Sequence, residues 1–206
     1  MAKLHIVLVG NSLAGIRCVE EMIKIHPNKF EITFFGIEPL ISNMVLQKTL
    51  IHYWTLYNRS WYKKNNIKLF TRDSVIRIDP EGQRVYTNKN HQVHYDRLIL
   101  ATDSIPIILP ISGAATYKMV GMKPNVQLAE ESGIPVNHGI IVNDFMETSL
   151  PNIYAVGECA EHRTVIYKVI GQLHEQAKVL AKRICGMVSN PFQGEERLTK
   201  FYSNWR

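Results

Sequence analysis

The chain has 206 residues, 46% hydrophobic and 20% charged, which suffices for one substantial core and argues against global disorder. Its formal net charge is +6, but lysines and arginines are scattered, with Lys63, Lys64 and Lys68 the densest group. That pattern argues against a nucleic-acid surface and leaves a modest field for an anionic cofactor or an acidic partner.

No apolar stretch approaches the roughly 18–20 residues of a membrane span, and the amino terminus lacks a signal-peptide pattern. Cys18, Cys159 and Cys185 are too far apart for a zinc or dithiol motif. These features lead us to expect a cytoplasmic protein with reduced thiols, no bound metal and no membrane or nucleic-acid partner.

Leu4–Val9 reads as a buried parallel strand and Leu13–Ile25 as a helix with Ile16, Val19, Met22 and Ile23 on one face. Phe30–Gly36 is a second strand, ending at Ile37-Glu38-Pro39, and Ile41–Asn58 is expected to be helical and to carry Lys48. A short helical turn at Trp61–Asn65 precedes candidate strands at Ile67–Thr71, Val75–Asp79 and Gln83–Asn88. The last two are joined by Asp79-Pro80-Glu81-Gly82, which has turn chemistry.

His91–His94 is a further short strand, and Leu98–Thr102 a buried one, broken by the prolines at 106 and 110. Ile111–Lys118 reads as a connector, Met119–Met122 as a strand and Asn125–Ser132 as an amphipathic helix. Strands at Ile140–Val142 and Ile153–Val156 lead to a long helix, Ile166–Ile184, stopped by Gly186. The polar segment 189–206 is expected to be weakly ordered, and His162 and His174 to be surface or helix-face residues.

The opening strand, turn and helix carry V-G-N-S-L-A-G, a glycine pattern with Gly10 and Gly15 in place and Ser12 at the middle position. In such a turn the first glycine permits the bend, the second lets the backbone approach a pyrophosphate, and the third allows helix–strand packing. The phosphates then meet the helix amino terminus, where unpaired N–H groups favour anions. Ser12 brings a hydroxyl, but its Cβ points at space the pyrophosphate needs, so binding is expected to weaken rather than vanish. Glu38, ending the second strand, is placed to meet a ribose hydroxyl pair.

Two later segments extend the pattern, Y-D-R-L-I-L-A-T-D-S (Tyr95–Ser104) and T-S-L-P-N-I-Y-A-V-G-E-C-A-E-H (Thr148–His162). With the first turn, they resemble the FAD-dependent pyridine-nucleotide oxidoreductases, nearest to the FAD domain of the NAD(P)H-dependent nitrite reductase large subunit and of NADH:rubredoxin reductase. The resemblance implies an α/β, Rossmann-like FAD-binding domain: a parallel sheet with helices plus a small antiparallel β-meander.

It also implies that Gly10, Ser12, Leu13, Ala14 and Gly15 cradle the FAD pyrophosphate, and that Glu38 and Pro39 meet the adenosine ribose. Val75 would lie by the adenine, and Ala101 and Thr102 match the start of an A-T-G element. Gly157 and Glu158 match a G-D element, with Cys159 beside the cofactor, and Lys48 would stand near the flavin ring as the catalytic cation. The departures are Ser12, Asp103 in place of the A-T-G glycine, and Asn43 where an arginine is usual.

The family inserts a whole NAD(P)H-binding domain after the Leu98–Thr102 strand, whereas here Ile111–Ala115 passes almost directly to Met119–Asn125. No second glycine fingerprint occurs in these residues. Residues 1–188 are therefore expected to form a single FAD-binding domain, with a connector near 111–118 and a tail at 189–206 that is a remnant of an interface domain. An apolar patch near Ile105–Ile111 and along the final helix is expected, and with it a homodimer or a partner.

Three functions remain open. The first is an FAD-dependent electron-transfer oxidoreductase that needs a redox partner protein. The second is a degenerate FAD domain acting as a binding or structural module. The third is one half of a split reductase whose NAD(P)H site lies on a separate subunit.

Overall fold

The computed structural model describes residues 3–36, 59–109 and 118–194. The apolar run Leu4–Val9 forms β1, and Ile6, Val7 and Leu8 have no solvent exposure, as expected of a strand covered on both faces. β1 lies at the centre of a five-stranded parallel sheet. On one side it pairs with β2 (Phe30–Gly36), which pairs in turn with β3 (Ile67–Thr71). On the other side it pairs with β7 (Arg97–Leu100), which pairs with β11 (Ile153–Ala155). The spatial order is therefore β11-β7-β1-β2-β3.

α1 (Leu13–Ile25) follows β1 and turns Ile16, Val19 and Met22 inward, with Ile23 only partly covered. It packs along α4 (Ile170–Cys185), the long carboxy-terminal helix. α2 (Arg59–Lys64) packs beside β3, slightly earlier in the chain than the turn expected at Trp61–Asn65. Antiparallel pairs β4 (Val75–Asp79), β5 (Arg84–Thr87) and β6 (Gln92–His94) make the expected meander. α3 (Gln127–Glu131) covers β4, and the Ile78 N–H donates to Ser132 Oγ at 3.0 Å.

Four features differ from the sequence expectations. First, Pro106 does not end strand structure after β7. β8 (Ser104–Leu109) contains Pro106 and pairs antiparallel with β9 (Lys118–Pro124), Pro106 facing Met122 in the register. A two-stranded ribbon leaves each strand an open edge, where proline's missing N–H costs no ladder bond.

Second, β12 (Ala160–His162) pairs with β10 (Ile140–Val142) and with β13 (Val165–Ile166), although A-E-H has no apolar alternation. Buried Glu161 satisfies itself by accepting from the Gly139 N–H at 2.7 Å and from Asn137 Nδ2 at 2.8 Å. β13 takes residues assigned to the last helix, so α4 starts at Ile170 rather than Ile166. Its end is as expected, with Gly186 at φ 75° closing the carbonyl end.

Third, His162 is wholly buried, its Nε2 2.7 Å from Asp144 Oδ1, which corrects its placement at the surface. Fourth, residue 188 does not end the packing. Phe192 is fully buried, its ring centroid 5.0 Å from that of Tyr167 and 5.1 Å from that of His162. An aromatic anchor seven residues beyond the last helix outweighs the polar composition around it. The expected helix at Ile41–Asn58 lies outside the described residues.

Candidate functional site

In the sheet order, the chain moves outward from β1 through β2 to β3 in one direction and reaches β7 and β11 in the other. The crevice outside the carboxyl ends of β1 and β7 is thus the topological switch point, where open α/β sheets bind ligands. The segments singled out in the sequence converge there. Residues 10–15 follow β1, residues 101–104 follow β7 and residues 157–158 follow β11.

The first turn is closed by steric necessity. Gly10 has φ +102°, and a Cβ built on it would lie 2.0 Å from the Ala101 carbonyl oxygen and 2.7 Å from the Thr102 nitrogen. Gly10 therefore serves the crossing of two chain segments, and this crossing sets the loop after β7 against the β1–α1 turn. Gly15 serves helix–strand packing, since a Cβ there would lie 2.6 Å from Ala101 Cβ.

Ser12 takes an unexpected role. It is the amino-terminal cap of α1, and its buried Oγ accepts from the Gly15 N–H at 3.1 Å. The hydroxyl thus turns toward its own helix. The N–H groups of Leu13 and Ala14 have no hydrogen-bond partner among the described residues, so the helix end keeps two donors for an anion.

Gly157, at φ +91°, faces this cap from across the crevice. A Cβ there would lie 3.2 Å from Ser12 Oγ and 3.4 Å from Ala14 Cβ. Its N–H donates at 3.0 Å to Oε1 of Gln176, which is fully buried on α4. Sequence reasoning missed Gln176; the available signal was an amide among the apolar positions Leu173, Ala177 and Leu180 of the helix face.

Thr102 donates its hydroxyl to the Asn125 carbonyl at 2.6 Å, and the Asn125 N–H donates to the Asp103 carbonyl at 2.9 Å. Asp103 stands at φ +63°, which explains how it replaces a glycine, because aspartate is among the few side chains that enter the left-handed region readily. Ser104, also missed, donates its hydroxyl to Glu158 Oε2 at 2.5 Å. Burial first, and then the neighbouring Glu158, push the Asp103 carboxyl up to about 6, against the pull of the Ser104 N–H.

Cys159 lies behind this group rather than in it. Its thiol is buried, donates to the Val156 carbonyl at 3.3 Å, and is held above the ordinary thiol range by burial. Val75 opens β4 on the meander, paired with Thr87, away from the main sheet. Glu38, Pro39 and Lys48 lie outside the described residues, as does Asn43. A cavity of about 320 Å³, lined by Arg59, Tyr62, Lys63 and Leu69 among others, opens at the β3 edge, away from the switch point.

FAD, the group implied by the resemblance, fits the phosphate end of this arrangement. Two N–H groups without partners among the described residues begin α1, and Gly157, with no side chain, lets the loop after β11 approach the Ser12 cap closely. Asp103 and Glu158 make the other end acidic.

The two strands flanking the expected connector pair antiparallel from Ser104↔Pro124 to Leu109↔Lys118, with one register shift between Ile107 and Ile108. The ends of any insertion at this point are thus adjacent in space.

Comparison with known proteins points the same way. The profile of the pyridine nucleotide-disulphide oxidoreductase family matches residues 4–119 and 118–178, two runs that meet within β9. The chain is 32% identical to nitrite reductase [NAD(P)H] of Bacillus subtilis, with 94% of the chain and 39% of that protein covered. It is 31% identical to the assimilatory nitrate reductase electron transfer subunit of the same organism, covering 94% of the chain and 41% of that protein. The chain therefore spans about two fifths of the length of these curated relatives. The first alignment runs over 313 residues although the chain has 206, so more than 100 positions of the relative have no counterpart here.

NADH:rubredoxin oxidoreductase from Clostridium acetobutylicum superposes with a TM-score of 0.77 at 18% identity, covering 94% of this chain and 78% of that one, which shows the shared fold. With both the profile and these relatives covering nearly all of it, the chain belongs to the pyridine nucleotide-disulphide oxidoreductase family.

Proposed function

We propose that the chain is an FAD-binding oxidoreductase module that passes electrons between partners and has no NAD(P)H site of its own within these residues. The observation that carries this is the convergence of Gly10–Gly15, Ala101–Thr102 and Gly157–Glu158 on one switch point, with the Leu13 and Ala14 N–H groups unpaired among the described residues. When bound there, FAD would accept two electrons and release them singly or together. The chain's own residues would do the rest. Leu13 and Ala14 would donate to the diphosphate, Glu38 and Pro39 would meet the ribose, and Val75 the adenine. Lys48 would place its cation near the flavin ring.

The match in two runs, together with the Ser104–Leu109/Lys118–Pro124 strand pair, supports a family domain whose nucleotide-binding insertion is replaced by a short connector. Closing so small a gap costs little chain entropy. Residues 1–188, with Phe192 packed onto them, would then be the FAD-binding domain, and the rest of 189–206 a remnant segment. Electrons would come from a redox partner protein or from a separate NAD(P)H-binding subunit. One relative's own description as an electron transfer subunit supports that role. Ile105, Ile107 and Met122, each more than a third exposed, supply apolar surface for a partner or a homodimer.

A second reading, a degenerate domain acting as a binding or structural module, has specific support in the acidic pair Asp103 and Glu158. One experiment divides them. Purified protein mixed with FAD and desalted is expected to stay yellow, to bleach with dithionite, and to ignore NADH. Colourless protein would leave only the degenerate module, and bleaching by NADH alone would place a nicotinamide site on this chain. Sizing the same sample is expected to give a dimer; a monomer at high concentration would remove the homodimer.

A further inference from the structure

We propose that Asp103 couples occupation of the switch-point crevice to proton uptake, so that its carboxyl group must be neutral when the diphosphate of a dinucleotide settles beside it. The inference rests on the FAD reading and adds to it a residue at which this chain departs from its family.

The geometry holds the Asp103 backbone in place. Its backbone is in the left-handed region at φ +63°, and its carbonyl is tied to the Asn125 N–H at 2.9 Å. The Thr102 hydroxyl is tied to the carbonyl of the same asparagine at 2.6 Å. The Ala101–Thr102 peptide is pressed against Gly10, the first residue of the turn whose helix end would hold the phosphates. Asp103 therefore stands at the carboxyl end of β7, on the wall of the switch point that meets the β1–α1 turn.

The groups around it make charge hard to hold. Ser104, next to Asp103 in the chain, donates its hydroxyl to Glu158 Oε2 at 2.5 Å, which brings the second acid to the same wall. The titratable groups facing Asp103 among the described residues are Glu158 and the buried Cys159 thiol. Neither supplies a positive charge. After β9, Asn125 meets Asp103 through its backbone N–H, which carries no charge.

Burial and Glu158 already hold the carboxyl near 6, so it is protonated below that pH and charged above it. A diphosphate alongside pushes it higher still, since a like charge favours the neutral form. Above about pH 6 the empty protein has released the proton and the complex has regained it. Affinity then falls with rising pH, by up to about tenfold per unit for one coupled proton.

The test is an FAD titration from pH 5.5 to 8.5 at constant ionic strength, on the full chain and on Asp103→Asn. Asparagine keeps the shape, tolerates the positive φ and cannot titrate. The unmodified chain is expected to weaken at least tenfold between pH 6 and pH 8, and the variant to change less than threefold. Calorimetry in two buffers of different ionisation enthalpy is expected to show close to one proton taken up at pH 7.5, lost in the variant. Equal pH slopes in the two proteins, steep or flat, would overturn the coupling while leaving the flavin reading intact. Failure of both proteins to bind FAD at every pH would overturn the flavin reading and the coupling together.

Discussion

The two walls of the crevice have each lost a glycine that the family pattern supplies, with opposite consequences. In the β1–α1 turn the replacement is Ser12, and the helix absorbs it, because the hydroxyl turns inward to cap Gly15. In the loop after β7 the replacement is Asp103, and the backbone absorbs it at φ +63° while the charge stays unneutralised beside Glu158. A substituted glycine is thus judged by two separate demands, the conformation it must adopt and the chemistry its side chain adds. Serine adds a group the fold can use; aspartate adds one it must keep protonated or tolerate.

Three substitutions would break or sharpen this contrast. The largest effect is expected from Gly10→Ala. Its Cβ would stand 2.0 Å from the Ala101 carbonyl oxygen at φ +102°, and neither backbone can yield without pulling β1 from β7. A loss above about 4 kcal/mol in urea unfolding is expected, enough to unfold many domains of this size. A loss under 1 kcal/mol would mean that the two walls do not cross as described.

Gly157→Ala is expected to cost about 2 kcal/mol, from positive φ and from contact with Ser12 Oγ at 3.2 Å. In a Ser12→Gly background part of that cost should disappear, a coupling of about 0.5–1 kcal/mol in a double-mutant cycle. Strict additivity would show that the cap and Gly157 are not neighbours. The smallest effects belong to Ser12, about 1 kcal/mol for Ser12→Ala through loss of the cap and only a few tenths for Ser12→Gly. Thermal unfolding of both variants at one pH checks the order; an alanine as stable as serine would mean the hydroxyl is not a cap.

Much of the fold was legible because its elements announce themselves locally. Apolar-rich runs located β1 and β2 to the residue, and a 3.6-residue stripe located α1. The strand at Ser104–Leu109 was hidden by Pro106, and β12 by its polar letters, since both depend on a partner strand distant in sequence. His162 and Phe192 were misjudged for a related reason. Burial of a histidine needs Asp144, and burial of Phe192 needs Tyr167, and neither pairing leaves a trace in local composition. Of the candidate site, the glycines were readable because their roles are backbone roles. Ser104, Gln176 and Asn125 were not, because they act only through contacts with Gly157 itself or with the residues beside these segments.

The sequence by itself determined the β-turn-α entry, the parallel core strands, the three glycine-bearing segments and the two departures at positions 12 and 103. Tertiary structure alone decided that those segments meet at one switch point, that Ser12 caps its helix, and that the serine next to Asp103 donates to Glu158. The physical reason is range. Periodicity and backbone freedom are properties of neighbouring residues, whereas a hydroxyl's partner and a carboxylate's charge state are set by groups brought together only when the sheet closes.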